Sequence, residues 1–199
     1  AKSYSFTLRW GAETDTDDAE GDIVCENTVR PDTDEVEQAL RRFIGRIEQT
    51  PPKYSASKLD GVRAYDLARA DKAVTMKSRE IDVHDIRVVG TPDPDHTEFA
   101  VVSGQGVHMR ALARDIAPAV GAFGHISALR RTSVGPFAAE DAISLDELES
   151  IGQIAARDQK LLPVETALDD IPALAVTESE AARLKNGQTI SLLRKVDLQ

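Results

Sequence analysis

The 199 residues carry 34 acidic against 24 basic side chains, a formal charge of −10, with 41% hydrophobic and 29% charged residues. That balance excludes disordered and fibrous classes and supports one good-sized domain, alone or with a small second one. There is no run of 18 apolar residues for a spanning helix, and no basic, apolar leader, so the cytoplasm is the expected compartment. The single cysteine, Cys25, excludes an internal disulfide and a cysteine zinc cluster.

Residues 3–10 alternate polar and large apolar side chains (Tyr4, Phe6, Leu8, Trp10), which predicts a strand. A polar loop over 11–22 follows. Aligned as an EF-hand with Gly21 at its central glycine, it lacks both the acidic first ligand and the closing glutamate, so calcium is not expected. Asp32-Thr33-Asp34-Glu35 reads as a capping box, and Val36, Leu40, Phe43 and Ile47 continue at helical spacing until Pro51-Pro52 stops them. Asp60-Gly61 predicts a hairpin between 54–59 and 62–65, with a short helix over 65–70. Ile81, Val83, Ile86 and Val88, then Phe99 and Val101, predict two strands around a turn at 91–95. Gly104-Gln105-Gly106 opens a helix carrying Met109, Leu112, Ile116 and Val120, residues 126–134 read as a strand, and Ser144 caps a further helix. Beyond 162 the pattern restarts, with a strand at 173–176, a cap at Thr177, a helix to Leu184 and a strand from Gln188 to Leu193. The fold class is α+β, a mostly antiparallel mixed sheet with flanking helices, followed by the start of a small β-rich module. A strand pattern begins just after Ala1 and another is interrupted at the far end, so the sequence reads as a fragment of a longer polypeptide.

Charge is segregated along the chain. Residues 11–40 hold eleven acidic side chains and one basic, whereas 41–80 carry a net +5 and 101–135 a net +3. An acidic chain argues against a simple nucleic-acid binder, yet two basic segments sharing one face still suit a polyanion. The alternative is a set of solvated helix faces with no partner.

Three stretches carry a resemblance. The first runs from Tyr4 through Arg9-Trp10-Gly11 to Thr14-Asp15-Thr16-Asp17-Asp18-Ala19-Glu20-Gly21. The second is Gln49-Thr50-Pro51-Pro52-Lys53-Tyr54-Ser55-Ala56-Ser57-Lys58, with Gly61-Val62-Arg63-Ala64-Tyr65. The third is Gly106-Val107-His108-Met109-Arg110-Ala111-Leu112, with Gly124-His125-Ile126 and Leu129-Arg130-Arg131-Thr132. In this order they resemble the TruB family of tRNA pseudouridine synthases, which isomerise uridine-55 in the T loop of tRNA. The resemblance covers about residues 1–165. It implies a pseudouridine synthase-like catalytic domain over 1–162, without its N-terminal part, and the start of a PUA-type RNA-binding module over 163–199. The implied partner is the T-arm stem-loop, the implied parent a monomer, and no cofactor, metal or membrane is implied.

By that resemblance Arg110 is the arginine that pairs with the catalytic aspartate, against the ordinary reading of a helix-surface arginine. Tyr4 is the active-site tyrosine that stacks on the uracil or takes its proton, against a core aromatic. Leu129 contacts the flipped base, against plain core. His108 stands where the family has tyrosine, and a histidine there is expected to titrate near neutrality. Asp18 matches a carboxylate at the edge of the site, against a solvated acid. Lys53, Lys58, Arg63, Arg130 and Arg131 are the expected phosphate contacts, with Tyr54 and Tyr65 bracing that segment. His84, His96 and His125 have no metal spacing.

One departure is large. The family's glycine-rich Leu-Asp-Pro motif, which holds the nucleophilic aspartate, does not occur here; the single Asp-Pro step, Asp93-Pro94, lies in a turn. Asp15, Asp17, Asp18 and Asp22 share one polar loop, expected to be flexible and unable to fix a carboxylate opposite Arg110. The chain alone is therefore expected to be inactive. The readings that remain are a catalytic fragment, a non-catalytic tRNA-binding or RNA-chaperone fragment of the same stock, and a structural α+β domain.

Overall fold

The structure, a computed structural model, describes residues 1–55, 76–152 and 160–191, with the backbone alone at 58–59 and 62–63. It divides into two compact units, Ala1–Val134 with Ala138–Asp141, and Gly135–Phe137 with Ala142–Gln199.

In the first unit the alternating segment forms β1 (Lys2–Trp10). Phe6, Leu8 and Trp10 are buried, as the alternation predicts. The polar segment after it is more ordered than expected: β2 (Ala12–Thr14) and β3 (Ile23–Glu26) pair antiparallel across it. Helix α1 (Thr33–Leu40) starts on the expected capping box, with Glu35 N–H donating to Asp32 Oδ1 at 2.8 Å. It is shorter than the spacing predicts. A 3-10 turn over Arg41–Phe43 ends it, and Gly45, at φ +95°, begins strand β4 (Gly45–Gln49), which carries Ile47. Left-handed backbone cannot continue a helix, so a glycine decides the switch that the apolar spacing hides. Short strands β5 (Lys58–Leu59) and β6 (Val62–Arg63) pair as the hairpin pattern predicts, while the helix expected over 65–70 lies outside the described residues.

Strands β7 (Arg79–Asp93) and β8 (His96–Ser103) are longer than expected and meet in a tighter turn. Buried positions on β7 change parity from Ile81 and Val83 to Ile86, because the register slips between Val83 and Asp85. Helix α2 (Met109–Ala119) leads to β9 (Gly124–Val134), and Ala138 of the short β10 (Phe137–Ala138) continues the sheet past it. The order is β10-β9-β1-β8-β7-β4, with antiparallel registers, so the α+β, mostly antiparallel reading holds.

One face of this sheet carries the core. Helix α2 buries Met109, Leu112 and Ile116 together with Ala111, Ala113 and Ala117, and α1 adds Val36 and Leu40. The alanines allow a close approach: a Cβ on Gly124 would stand 3.3 Å from that of Ala117. Phe6 and Phe99 stack at 4.9 Å, and Trp10 Nε1 donates to Thr97 Oγ1 at 2.9 Å, which satisfies its buried N–H.

The second unit contains α3 (Leu145–Ser150), a 3-10 turn over Val164–Leu168 and α4 (Glu178–Lys185). Ser144 and Thr177 cap the two helices as expected. Residues 173–176 and 188–191 are not strands, so the β-rich start expected there is absent from the described residues. Their apolar side chains, such as Leu174 and Val176, remain exposed, and an alternating pattern without a hydrogen-bonding neighbour has nothing to fix it. The boundary expected at 162 falls inside this unit. Among the described residues no helix is long and apolar enough to cross a membrane.

Candidate active site

The acidic loop between β2 and β3 is stitched to itself, against the expectation of flexibility. Thr14 Oγ1 donates to the Asp18 carbonyl at 2.7 Å, Thr16 Oγ1 to Asp18 Oδ1 at 2.7 Å, and Glu20 N–H to the same oxygen at 3.1 Å. Asp22 N–H donates to Asp15 Oδ1, and Asp15 N–H to the Asp22 carbonyl, both at 3.0 Å. Gly21 sits so close to Thr16 and Asp15 that a Cβ there would overlap both. Asx-type bonds of this kind order a loop without an apolar core, and hydrophobic patterning cannot reveal them. The loop is fixed to the sheet where Ile126 N–H donates to the Asp17 carbonyl at 3.1 Å.

Arg110 projects from the first turn of α2 into this loop. Its Nη1 donates to Asp18 Oδ2 at 2.9 Å and to the Thr16 carbonyl at 3.1 Å, and its Nη2 donates to the Tyr54 carbonyl at 2.6 Å. Both partners of the ion pair are about three-quarters buried, 27% and 24% exposed at the side chain, so the pair is screened less than a surface one. The pair forms one wall of a cavity of about 780 Å³, open to solvent, which the loop, Tyr54, Ser55 and residues 126–129 of β9 also line.

Strand β9 owes its contribution to a bulge. Leu8 faces Ile126, but Thr7 faces Ala128, so Ser127 is the extra residue. The slip puts Ile126 and Leu129 on the same face of the strand, where regular alternation would separate them. Leu129 is 49% exposed and lines the cavity, which answers the choice between pocket wall and core. Further along, Tyr4 pairs with Arg131 and Ser5 with Arg130. Cross-strand partners share a face, so the two arginines lie on opposite faces of β9, with Arg131 on the face of Tyr4. Both are exposed.

Tyr4 itself is half-buried against the core and is not among the residues lining the cavity. Lys53 is exposed beside Tyr54; the side chains of Lys58 and Arg63 and all of Tyr65 lie outside the described residues. His108 is the N-cap residue of α2, and its backbone is held by Gln49, whose Nε2 accepts nothing but donates to the His108 carbonyl at 3.2 Å while its Oε1 accepts the His108 N–H at 2.9 Å. Burial, and then the Arg79 and Arg110 charges, push the imidazole down to about 4. The expectation of a titration near neutrality is therefore corrected: beside two guanidinium groups and away from water, His108 is uncharged at neutral pH.

Sequence reasoning missed three residues here. Gln49 is buried and clamps the start of α2; only its alternation with Ile47 on a strand, hidden by the helix-like spacing, marks it. Asp17 and Arg114 form a second ion pair, with Arg114 Nη1 3.4 Å from Asp17 Oδ2. The spacing of Arg114 from Arg110, one helical turn, was the available signal. Among the described residues no group of three or more His, Cys, Asp or Glu side chains is placed to hold a metal ion.

The sequence pattern of the TruB family pseudouridylate synthase N-terminal domain matches residues 1–109, and that of the tRNA pseudouridylate synthase B C-terminal domain matches residues 110–169. The chain is 52% identical to tRNA pseudouridine synthase B of Rhodospirillum rubrum over 192 residues, 96% of this chain and 62% of that protein. It is 51% identical to the tRNA pseudouridine synthase B of Gluconacetobacter diazotrophicus over 193 residues, 96% of this chain and 63% of that one. The chain thus spans less than two thirds of the length of these curated relatives. Among solved structures it resembles a chain of a Cbf5-Nop10-Gar1 complex, at TM-score 0.67 and 25% identity, covering 94% of this chain and 48% of that one. A chain of an H/ACA RNP bound to a substrate RNA containing 2'-deoxyuridine shares the fold at TM-score 0.65 and 21% identity, covering 95% and 48%. Matches spanning both sides of the Asp18–Arg110 site, at about half identity over nearly all of the chain, assign its ancestry: the chain belongs to the TruB family of pseudouridylate synthases.

Proposed function

We propose that the protein to which these residues belong isomerises uridine to pseudouridine in the T-arm stem-loop of tRNA, with Arg110 and Asp18 at the reaction centre. The observation that carries this reading is the partly buried Arg110–Asp18 pair at the wall of an open cavity of about 780 Å³. That volume lies within the about 300–1,000 Å³ of small-ligand sites and suits an extruded base. The reaction breaks the C1′–N1 bond, turns the uracil and rejoins it through C5, whose proton leaves. It needs a carboxylate held ionised by a cation, a dry wall against the base, and a proton acceptor, with no redox cofactor. Arg110 supplies the cation and Leu129 the wall. Tyr4 is the proposed acceptor or stacking partner, and it reaches the base from the same sheet face as Leu129 and Arg131. The nucleophilic aspartate is proposed to come from sequence outside the 199 residues, since the family's motif for it is absent here.

Lys53, Lys58, Arg63, Arg130 and Arg131 are the proposed phosphate contacts, His108 packs beside the base uncharged, residues 163–199 begin a PUA-type module, and the enzyme acts as a cytoplasmic monomer. The test is tritium release from C5-labelled uridine in a T-arm RNA, comparing the complete gene product with residues 1–199. The complete product is expected to release tritium and the 199 residues alone to release none. Binding of the RNA by both without release by either supports the non-catalytic tRNA-binding reading instead.

A further inference from the structure

Arg110 and Arg114 lie one turn apart on α2, and each bridges the same two segments. Arg110 joins Asp18 to the Tyr54 carbonyl, while Arg114 joins Asp17, at 3.4 Å, to the Thr50 carbonyl, at 2.8 Å. A third bond, from Arg114 Nε to Asp115 Oδ1 at 2.9 Å, holds the second guanidinium in plane. The result is a ladder with two rungs between the acidic loop and segment 50–54. The upper rung lies in the cavity wall; the lower one does not reach the cavity.

The lower rung is expensive for the fold. Asp17 is the one described residue other than glycine at positive φ, +62°, a conformation that side chains other than Asn and Asp seldom adopt. Its carboxylate is buried, and burial pushes it up to about 6 in spite of Arg114 and Arg110, with Glu13 of β2 and Asp115 of α2 pushing the same way. The folded state thus favours the neutral form, and a chain selected for stability alone is better served by asparagine. An ionised carboxylate kept there against the fold's preference points to a task set by function. Its position supplies one: Asp17 is joined directly to Asp18, and its carbonyl accepts Ile126 N–H.

We propose that Asp17 and Arg114 are positioning residues for the reaction of the neighbouring site: the Arg114 rung sets the distance between the acidic loop and segment 50–54, and so aims Asp18 at Arg110. Neither touches substrate. The inference rests on the pseudouridine synthase reading for its effect on turnover, but not for its effect on the loop.

The experiment uses the complete gene product and the variants Asp17→Asn, Arg114→Gln, Arg114→Lys and the Asp17→Asn/Arg114→Gln double. Asparagine keeps the shape and the tolerance of positive φ. Expected are losses in kcat of about tenfold for Asp17→Asn and for Arg114→Gln with KM within about threefold, as for small misplacements in a preorganised site. The double variant loses no more than either single, because the two residues act as a unit, and Arg114→Lys recovers part of the loss. Turnover by the wild type falls below about pH 6, and the Asp17→Asn profile lacks that limb. The unfolding midpoint of Asp17→Asn at pH 7.5 stays level or rises. Unchanged kcat in folded single variants, multiplying losses in the double, or a lower midpoint with unchanged kcat overturns the proposal. Should Arg114→Gln not fold, Asp17→Asn and Arg114→Lys decide by the same criteria. Should the wild type release no tritium, the functional reading fails while the clamp is still read by hydrogen exchange. The amides of Glu20 and Ile126, which donate to Asp18 Oδ1 and the Asp17 carbonyl, are then expected to exchange about tenfold faster in Arg114→Gln, and equal exchange overturns the clamp.

Discussion

The acidic loop and helix α2 each hold one half of the Asp18–Arg110 pair, and they hold it by opposite means. Helix α2 is seated by burial: Leu112, Ile116 and its alanines are almost wholly removed from water. The loop between β2 and β3 buries little and is ordered by hydroxyl, carboxylate and amide bonds within itself. An apolar seat tolerates changes of pH and salt but is sensitive to volume. A polar seat tolerates changes of volume but depends on each partner being present and correctly ionised. The site therefore joins a rigid element to one whose geometry is a matter of protonation.

The largest test removes the joint. Arg110→Gln in the complete gene product is expected to lower turnover by about 10²–10³-fold, since a charge aimed at the reacting group is lost and Asp18 keeps only its loop donors. Steady-state tritium release measures it; a loss below tenfold contradicts the role of the pair. Breaking the apolar seat comes next. Leu112→Ala, at a fully buried position, is expected to cost about 3 kcal/mol in urea unfolding, whereas Thr14→Val, which deletes one loop bond, is expected to cost about 1 kcal/mol.

Titration separates the two seats without changing a side chain's volume. Asp17 on the loop is raised from 3.8 to about 6, so its contribution favours folding at low pH and is lost as pH rises through that window. His108 at the start of α2 is lowered from 6.5 to about 4, so its contribution is complete above 6.5 and is lost as pH falls toward 4. Each amounts to about 2–3 kcal/mol over its window, and the two slopes oppose one another between pH 4 and 6. Stability of the wild type is expected to be nearly flat there. Asp17→Asn should leave a curve that rises with pH, and His108→Tyr one that falls; parallel curves for all three would contradict the assignment.

The smallest effect concerns the rim. Because β9 places Arg131 on the face of Tyr4 and Arg130 on the other, Arg131→Ala is expected to reduce the salt slope of T-arm RNA binding by about one, and Arg130→Ala by less. Fluorescence anisotropy between low and high salt distinguishes them, and equal changes would show that the strand face does not decide the contact.

Local chemistry alone made much of this readable. Alternation gave β1, the capping boxes gave the starts of α1 and α4, and the parity change from Val83 to Ile86 already carried the bulge in β7. The motifs around Asp18, Arg110 and Leu129 marked three residues that the fold brings to one cavity from a loop, a helix and a strand. Tertiary structure decided the rest. Ile47 belongs to a strand because β7 offers it a partner, and helical spacing counts apolar residues without knowing what they face. Arg130 and Arg131, adjacent in sequence, part company because a strand alternates its faces. The loop is ordered by bonds between residues up to seven apart, and His108 loses its charge to Arg79 and Arg110 from different elements. Periodicity records which side of an element is apolar; hydrogen-bond partners, bulges and the burial of a charge depend on neighbours that only the folded chain supplies.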